Sequence, residues 1–344
     1  MLRMRDVYRG EKFMFSWWDN DTSIYFPNIG IKLSNVPRGF AVFDFNIAFY
    51  GLCIAIGMIG GIMMAEWQAK RSGQNPDDYT TFALWAIPLS VIGARIYSVI
   101  FEWSYYKDDL KQIFNLRNGG LAIYGGVIVA ISFAFLYCRI KKMKGGVLVD
   151  TGILGMLVGQ VIGRWGNFFN RECFGNYTNS LLAMQIRVDD ANLSNYFKPS
   201  VISDARVAEL YAGKDKALEA IMEIRNNITV SVDGFDCIQV QPTFLYESLW
   251  NLALLIILIC VWRCKKFDGE IVLLYLFGYG LGRVWIEGLR TDQLFLWNSG
   301  IAVSQLLSGI LVVVCAALIL ILRHRAIKNG TKPSFCDYGK AKEA

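Results

Sequence analysis

Histidine is almost absent from this chain, because His324 is the only one among 344 residues and it stands in a basic stretch at the end of the last apolar run. We expect it at the surface, so any reaction must proceed without imidazole, the side chain most often used in general acid–base catalysis. Proline is scarce as well, with seven residues, and only 19% of residues are charged, whereas 54% are hydrophobic. This balance indicates an integral membrane protein.

The eight cysteines show no metal-ligand spacing, so they predict no metal site. Cys173 and Cys237 both fall in segments expected to face outward. The sequence leaves open whether they form a disulfide or remain two separate thiols. The N-terminal residues also lack the apolar core of a signal peptide, so we expect no cleavable signal.

Apolar stretches of about 20 residues, the length that crosses a hydrocarbon core, recur along the chain. They predict an all-α integral membrane fold, a bundle of seven transmembrane helices. The predicted spans lie at about residues 42–65, 80–103, 119–138, 147–168, 244–262, 270–288 and 299–322.

Lysines and arginines indicate the orientation, because they favour cytoplasmic loops. They concentrate after the first, third, fifth and seventh spans, so we expect an outward N terminus and an inward C terminus. The basic N-terminal tail argues against this orientation, but the charge rule weakens in long segments.

A long polar insert predicts a small extracytoplasmic head, with helices near 204–211 and 214–226 and a strand at 228–232. The whole chain then divides into an N-terminal extracytoplasmic segment, helices 1–4, the head, helices 5–7 and a basic cytoplasmic tail. These segments cover residues 1–41, 42–169, 170–243, 244–322 and 323–344.

The most informative segment, GRWGNFFNRECFG at residues 163–175, places charge directly after an apolar run. An arginine near the middle of a bilayer costs roughly 2.5–3.5 kcal/mol, and such residues usually face the bundle interior or a polar cavity. Helical spacing puts several residues on one stripe, with Glu172 beside it. The predicted stripe consists of Arg164, Asn167, Arg171 and Gly175.

A second charged cluster falls in the sixth predicted span. Arg283 and Glu287 lie four residues apart and can pair along a helix. Either this pair locks two helices together, or Glu287 orients Arg283 toward an anion. Tyr279 and Arg290 lie at helical spacing from the same pair.

Three other residues allow two interpretations each. Glu247, at the start of the fifth span, is equally compatible with a buried partner for Arg95 or Arg164 and with a part in the chemistry. Tyr124 stands in a glycine-rich segment that favours helix packing, or else it presents its hydroxyl to a cavity. Tyr50 is still more ambiguous, since a lone tyrosine in a span is often a packing residue.

Arginines around a polar cavity favour phosphate as the ligand. Their fork of donors matches the phosphate oxygens, and their charge persists at any relevant pH. A lipid headgroup is the obvious phosphate inside a membrane, so the residues alone predict a site for an anionic lipid.

The segment at 163–175 resembles the complete signature of the bacterial prolipoprotein diacylglyceryl transferases, and none of its 13 positions departs from it. The resemblance continues in the family's order through FYGL, NGGLAIYGG, QPTFLYES and GYGLGRVWIEGLRTD, at residues 49–52, 118–126, 241–248 and 278–292. It implies a seven-helix bundle in the bacterial cytoplasmic (inner) membrane, with an extracytoplasmic head and an active site on that side.

The implied reaction transfers a diacylglyceryl group from phosphatidylglycerol to the thiol of the lipobox cysteine in a prolipoprotein signal peptide. A thioether forms and glycerol 1-phosphate is released, as the first step of lipoprotein maturation. The implied partners are phosphatidylglycerol, the prolipoprotein and the lipid bilayer. The resemblance implies no nucleic acid, no metal and no dissociable cofactor.

Carried onto this chain, the resemblance suggests roles for single residues. Arg164 and Arg283 would clamp the departing phosphate, while Glu172 would orient an arginine or accept the thiol proton. Gly175 would allow a close approach of the backbone. The expected substrate-binding residues are Tyr50, Asn167, Asn170, Gly175, Tyr279, Glu287, Glu247 and Arg290.

The chain departs from part of the family at Tyr124, where many members carry a histidine that is a candidate base. A phenol is a poor proton acceptor at neutral pH, so the sequence does not identify the base. We expect Tyr124 to act in catalysis by positioning the lipid or the thiol.

Two other classes of protein also place arginines inside a helix bundle. An anionic-phospholipid transporter or flippase would move the lipid without releasing glycerol phosphate. A structural or receptor-like protein would use the arginines only in ion pairs between helices. Neither class explains the match to the full signature.

Overall fold

The computed structural model of the protein describes residues 15–18, 22–43, 45–115, 119–191, 194–198, 200–212, 215–231, 233–291 and 302–334. Most of these residues are helical. The long helices are α1 Phe49–Arg71, α2 Pro76–Phe101, α4 Ile123–Lys141, α5 Gly145–Asn170, α9 Thr243–Val261, α10 Glu270–Glu287 and α11 Val303–Lys328. The short ones are α3 Trp103–Tyr106, α6 Ser194–Phe197, α7 Asp204–Leu210 and α8 Asp215–Asn226.

Six of the described helices are long and apolar enough to cross a membrane, namely α1, α2, α4, α5, α9 and α11. The prediction of a multi-pass helical membrane protein is therefore confirmed. Helix α10 coincides with the sixth predicted span but has only 18 residues and carries Glu270, Arg283 and Glu287. The seventh crossing and the orientation remain predictions.

The expectation of an all-α fold is too narrow, because the described chain also contains eight strands. These are β1 Phe15–Trp18, β2 Ile24–Phe26, β3 Ile31–Leu33, β4 Gly39–Val42, β5 Phe45–Ala48, β6 Met184–Arg187, β7 Thr229–Val230 and β8 Asp236–Val240. The first predicted span begins too early for the same reason. Its first residues belong to β4 and β5, and the helix starts only at Phe49.

The strands form two antiparallel sheets, one ordered β1-β4-β5 and the other β3-β2-β6-β8-β7. In the five-stranded sheet Ile24 lies opposite Ile186, and Ile186 lies opposite Ile238. Strands from near the N terminus therefore share a sheet with strands of the polar insert. The five-segment division of the chain remains a prediction.

The predicted helices of the insert are confirmed, and α8 shows why they form. Its buried face carries Ala217, Ala220, Ile221 and Ile224, at the three- and four-residue spacing of one side of a helix. This face belongs to the same apolar core as the sheet residues Ile186 and Ile238. The predicted strand at 228–232 is shorter in the structure, at Thr229–Val230.

The chain separates into two compact units. The first contains residues 1–58, 158–255 and 276–314, and the second contains residues 59–157, 256–275 and 315–344. The candidate site residues other than Tyr124 fall in the first unit.

Within the second unit, α5 and the start of α10 are joined by a fully buried carboxylate. Asp150 accepts hydrogen bonds from Lys265 Nζ at 2.9 Å, from Gly269 N at 2.9 Å and from Val272 N at 3.1 Å. Two of these donors are backbone groups at the first turn of α10, where a helix favours negative charge. The pair with Lys265 balances charge that neither residue could carry alone in the interior.

We predict that Asp150→Ala destabilises the protein by about 3–5 kcal/mol, because the buried Lys265 ammonium would lose its closer carboxylate at 2.9 Å and keep Asp268 Oδ1 at 3.4 Å. The matched control is Asp78→Ala, which removes the partner of Lys141, a lysine with a 41% exposed side chain. Such an exposed pair contributes about 0–1 kcal/mol. Thermal unfolding in detergent measures the stability of both variants. Equal losses of stability would show that the buried Asp150 pair contributes no more than the exposed pair.

Candidate active site

Helix α5 carries most of the 163–175 signature and ends within it. The helix stops at Asn170, and both Arg171 and Cys173 adopt a left-handed backbone with φ of 55°. This conformation breaks the helix, since residues other than glycine adopt it only occasionally. The predicted stripe is therefore wrong beyond Asn170, and Arg171 and Gly175 do not continue that face.

Arg171 is a buried anchor. Only 1% of its surface is exposed. Its guanidinium donates to the carbonyl oxygen of Val36 and, at 3.5 Å, to that of Phe169. These contacts tie the end of α5 to the chain that precedes α1, which explains why a charged residue at this position is buried.

The centre of the charged cluster is Glu247, near the start of α9 and 5% exposed. Its Oε2 contacts Nη2 of Arg164, while its Oε1 lies 3.3 Å from Nη1 of Arg283 and 3.5 Å from Nη1 of Arg290. These arginines belong to α5, α10 and the turn that follows α10. The structure thus brings together residues from three separate sequence motifs.

A second carboxylate supports Arg283. Glu287 Oε2 lies 2.7 Å from Nη2 of Arg283, one helical turn earlier, so the predicted pairing along the helix is confirmed. Ser304 of α11 donates to Glu287 Oε1 at 2.7 Å. Among the described residues, the cluster brings together three arginines and two glutamates. Fixed guanidinium donors suit a phosphate group.

The amides of the signature converge on Glu172. Its Oε1 accepts from Asn167 Nδ2 at 2.9 Å and from Asn170 Nδ2 at 3.4 Å. Asn167 Nδ2 also lies 3.7 Å from Cys173 Sγ, and Thr243 Oγ1 donates to the carbonyl oxygen of Cys173. The described contacts of the Glu172 carboxylate are therefore with amides, which hold it in one orientation.

Gly175 joins the end of the signature to two other motifs. Its N–H donates to Gln241 O at 2.9 Å, and the following Asn176 N–H donates to Leu289 O at 2.8 Å. A Cβ at Gly175 would lie 2.8 Å from Leu289 O and 2.9 Å from Gln241 Cβ. The close approach expected here is thus one between segments of the chain itself.

Two of the predicted tyrosines also pack within the first unit. Tyr50 lies against Gly166, where an added Cβ would come within 2.7 Å of its ring Cδ2. Tyr279 lines a small cavity of about 10 Å³ together with Glu247 and Arg283. A cavity of this size holds no more than about one water molecule.

Tyr124 belongs to the second unit. It is the second residue of α4 and is 68% exposed. Its ring centroid lies 6.4 Å from that of Tyr97.

Arg95 belongs to the second unit too, and its donors are used on backbone carbonyls. Nε lies 2.8 Å from Ile113 O, and Nη1 lies 2.7 Å from Gly119 O and 2.8 Å from Gly120 O. The guanidinium also stacks on the ring of Tyr106 at 5.0 Å. Of the two partners that the sequence left open for Glu247, the structure therefore selects Arg164.

The possible disulfide between Cys173 and Cys237 is not formed, because Cys237, a described residue, is a free thiol. It is fully buried in β8, and burial raises the pKa of this thiol above its usual range. A protonated thiol is a weak nucleophile. Cys237 is therefore a core residue of the five-stranded sheet.

The residues of the charged cluster lie within the part of the chain that is similar to known proteins. The family model of the prolipoprotein diacylglyceryl transferases matches residues 37–321. The chain belongs to this family. A phosphatidylglycerol--prolipoprotein diacylglyceryl transferase of Clostridioides difficile (strain 630) is 39% identical over 257 residues, covering 75% of this chain and 84% of the relative. The protein of that name from Streptococcus equi subsp. equi (strain 4047) is 38% identical over 292 residues, covering 84% and 95%.

Two hydroxyl residues that position the site, Thr243 and Ser304, were not predicted from the sequence. Thr243 is fully buried and ties α9 to Cys173, and Ser304 orients Glu287. Thr243 lies in the QPTFLYES motif, and its place in this motif could have identified it as a site residue. Ser304 stands in an apolar run, where a single serine gives no signal of its partner.

We predict that Gly175→Ala destabilises the protein by about 1–3 kcal/mol, since the methyl group would press on the backbone of Leu289 and on Gln241. Gly163→Ala is the matched control in the same motif, because a Cβ there meets none of the described atoms within 4 Å. Thermal unfolding in detergent compares the two. A Gly175 variant as stable as the Gly163 variant would contradict the close packing.

Proposed function

We propose that the chain transfers the diacylglyceryl group of phosphatidylglycerol to the thiol of a lipobox cysteine in a prolipoprotein, and releases glycerol 1-phosphate. Membership of the transferase family and the names of its relatives support this proposal. The observation that carries it is the convergence of Arg164, Arg283 and Arg290 on Glu247, which gathers three guanidinium groups at one place in the first unit.

The proposed setting is the bacterial cytoplasmic (inner) membrane, with seven crossings, an outward N terminus and an active site on the extracytoplasmic side. In this proposal helix α10, which is the sixth span along the chain, crosses the membrane as well and brings the number of crossings to seven. Its charges are compatible with a span because Arg283 pairs with Glu247 and Glu287. The basic connectors after α1, α4, α9 and α11 support the orientation.

The proposed reaction is a displacement at one carbon of the diacylglyceryl group, the carbon that bears the phosphate ester. The substrate thiol loses its proton, and the thiolate attacks this carbon, because the thiolate is the reactive form. A carbon–sulfur bond forms while the carbon–oxygen bond breaks. The phosphate leaves with the electron pair of that bond as glycerol phosphate.

The arginines hold the charge that develops on the departing phosphate. Arg164 and Arg283 act directly, and Glu247 and Glu287 keep them in position beforehand. Donors fixed in advance stabilise such charge without reorganisation during the reaction, by roughly 2.7–4 kcal/mol each. Arg290 and Tyr279 complete the headgroup site. Tyr50 belongs to the same site and packs against Gly166.

Glu172 accepts the thiol proton in this proposal. The amides of Asn167 and Asn170 orient its carboxylate, and the same amides are available to the headgroup or ester oxygens. A carboxylate base fits a chain that has no histidine in any of the matching motifs.

We predict that purified protein in micelles containing phosphatidylglycerol releases glycerol phosphate when a lipobox peptide is added. Arg164→Ala and Arg283→Ala should each lower the rate about 100- to 1000-fold, as removal of one preorganised donor does. Arg263→Ala, at an exposed position, is the control and should leave the rate unchanged. Thermal unfolding confirms that each variant is folded.

The controls of this assay separate the classes of protein. Release must also disappear when the peptide cysteine is replaced by serine. Folded protein that moves phosphatidylglycerol between leaflets without release would be a transporter instead. Full activity in both arginine variants would remove the arginines from the mechanism.

Tyr124→Phe tests the proposed positioning role of its hydroxyl. We predict a higher KM for phosphatidylglycerol or for the peptide and an unchanged pH dependence of kcat, because a positioning hydroxyl carries no titrating proton. Initial rates across pH measure both quantities. Unaltered kinetics would exclude the hydroxyl from the reaction, and a shifted pH profile would make it a proton carrier.

A further inference from the structure

A polar cleft of about 380 Å³ lies within the first unit and is not assigned to the site described above. One wall is a face of α8 that presents Lys216, Glu219 and Glu223 at successive turns. The other wall includes Asn176 and Arg290. The volume falls in the range of about 300–1,000 Å³ that is typical of ligand pockets.

The cleft is connected to the charged cluster through Arg290. This side chain lines the cleft, while its Nη1 lies 3.5 Å from Glu247 Oε1. The backbone is continuous as well, because Gly175 and Arg290 form an antiparallel bridge and Asn176 follows directly. A ligand in the cleft would therefore lie next to the site of the proposed reaction.

The walls restrict what the cleft can hold. Acyl chains packed against lysine, glutamate and arginine side chains would desolvate these charges without replacing their hydrogen bonds. The lipid tails are thus excluded, and a polar ligand remains. In a signal-bearing polypeptide the apolar region precedes the processing site, so the segment that follows the cysteine is the one free to be polar.

We propose that this cleft binds the residues of the acceptor polypeptide that follow its cysteine, with a preference for basic side chains. The proposal rests on the transferase function proposed above. Glu219 and Glu223 are exposed, lie one turn apart and form no ion pair with another described residue. A lysine or arginine of the substrate pairs with them, whereas an aspartate is repelled. Lys216 on the same face and Arg290 on the other wall moderate the preference.

The test compares two lipobox peptides that differ only in carrying lysine or aspartate two residues after the cysteine. Both are assayed by glycerol phosphate release with wild-type protein, Glu219→Lys, Glu223→Lys and the double variant. We expect the double variant to raise the KM for the lysine peptide roughly five- to tenfold, as two exposed ion pairs allow, and to lower it for the aspartate peptide. The kcat and the KM for phosphatidylglycerol should remain unchanged.

Glu209→Lys is the matched control for the single variants. It reverses an equally exposed charge in α7, where Glu209 pairs with Arg206 at 2.5 Å, and it should change neither KM. Equal changes for both peptides, or no change in the double variant, would overturn the subsite while wild-type release left the transferase function intact. Wild-type protein that releases nothing with either peptide would overturn the proposed function and the subsite together.

Discussion

The convergence of three guanidinium groups on one buried carboxylate is the interaction on which the rest of the site depends. An arginine among apolar helices is expensive unless it is paired, and Glu247 pairs with Arg164, Arg283 and Arg290 at once. Its three partners come from α5, α10 and the turn after α10. The carboxylate therefore holds segments together that are far apart in the sequence, and without it the three guanidinium groups would lose the acceptor that they share.

The cluster also suits an anion, because its guanidinium groups are held in place before a ligand binds. Among the described residues, Glu247 contacts all three arginines and Glu287 contacts Arg283. Ser304 donates a hydrogen bond to Glu287, and Glu287 in turn holds Arg283 in place. For the proposed reaction this means that the donors already point toward a common region before charge develops on the phosphate. Donors fixed in this way need no reorganisation when that charge appears.

The sequence predicted the long helices because an apolar run of sufficient length leaves the chain few other structures in a bilayer. It also predicted the pairing of Arg283 with Glu287, which depends only on helical spacing. The fourth predicted span ends close to the end of α5, but the stripe that continued to Arg171 and Gly175 was wrong, because the left-handed backbone at Arg171 and Cys173 occurs without a glycine that would indicate it. The sheet was missed as well, because the pairing of Ile24 with Ile186 joins distant segments and depends on register rather than local pattern.

Arg290 has a position that no other arginine of the cluster shares, since it contacts Glu247 and also lines the cleft beside α8. In the proposed reaction these two regions receive different substrates, the lipid phosphate and the polar segment of the polypeptide. A substrate that draws the Arg290 guanidinium into the cleft weakens its hold on Glu247, and one that draws it toward the phosphate does the opposite. Because binding free energies are coupled reciprocally, each substrate must then change the affinity for the other by the same factor.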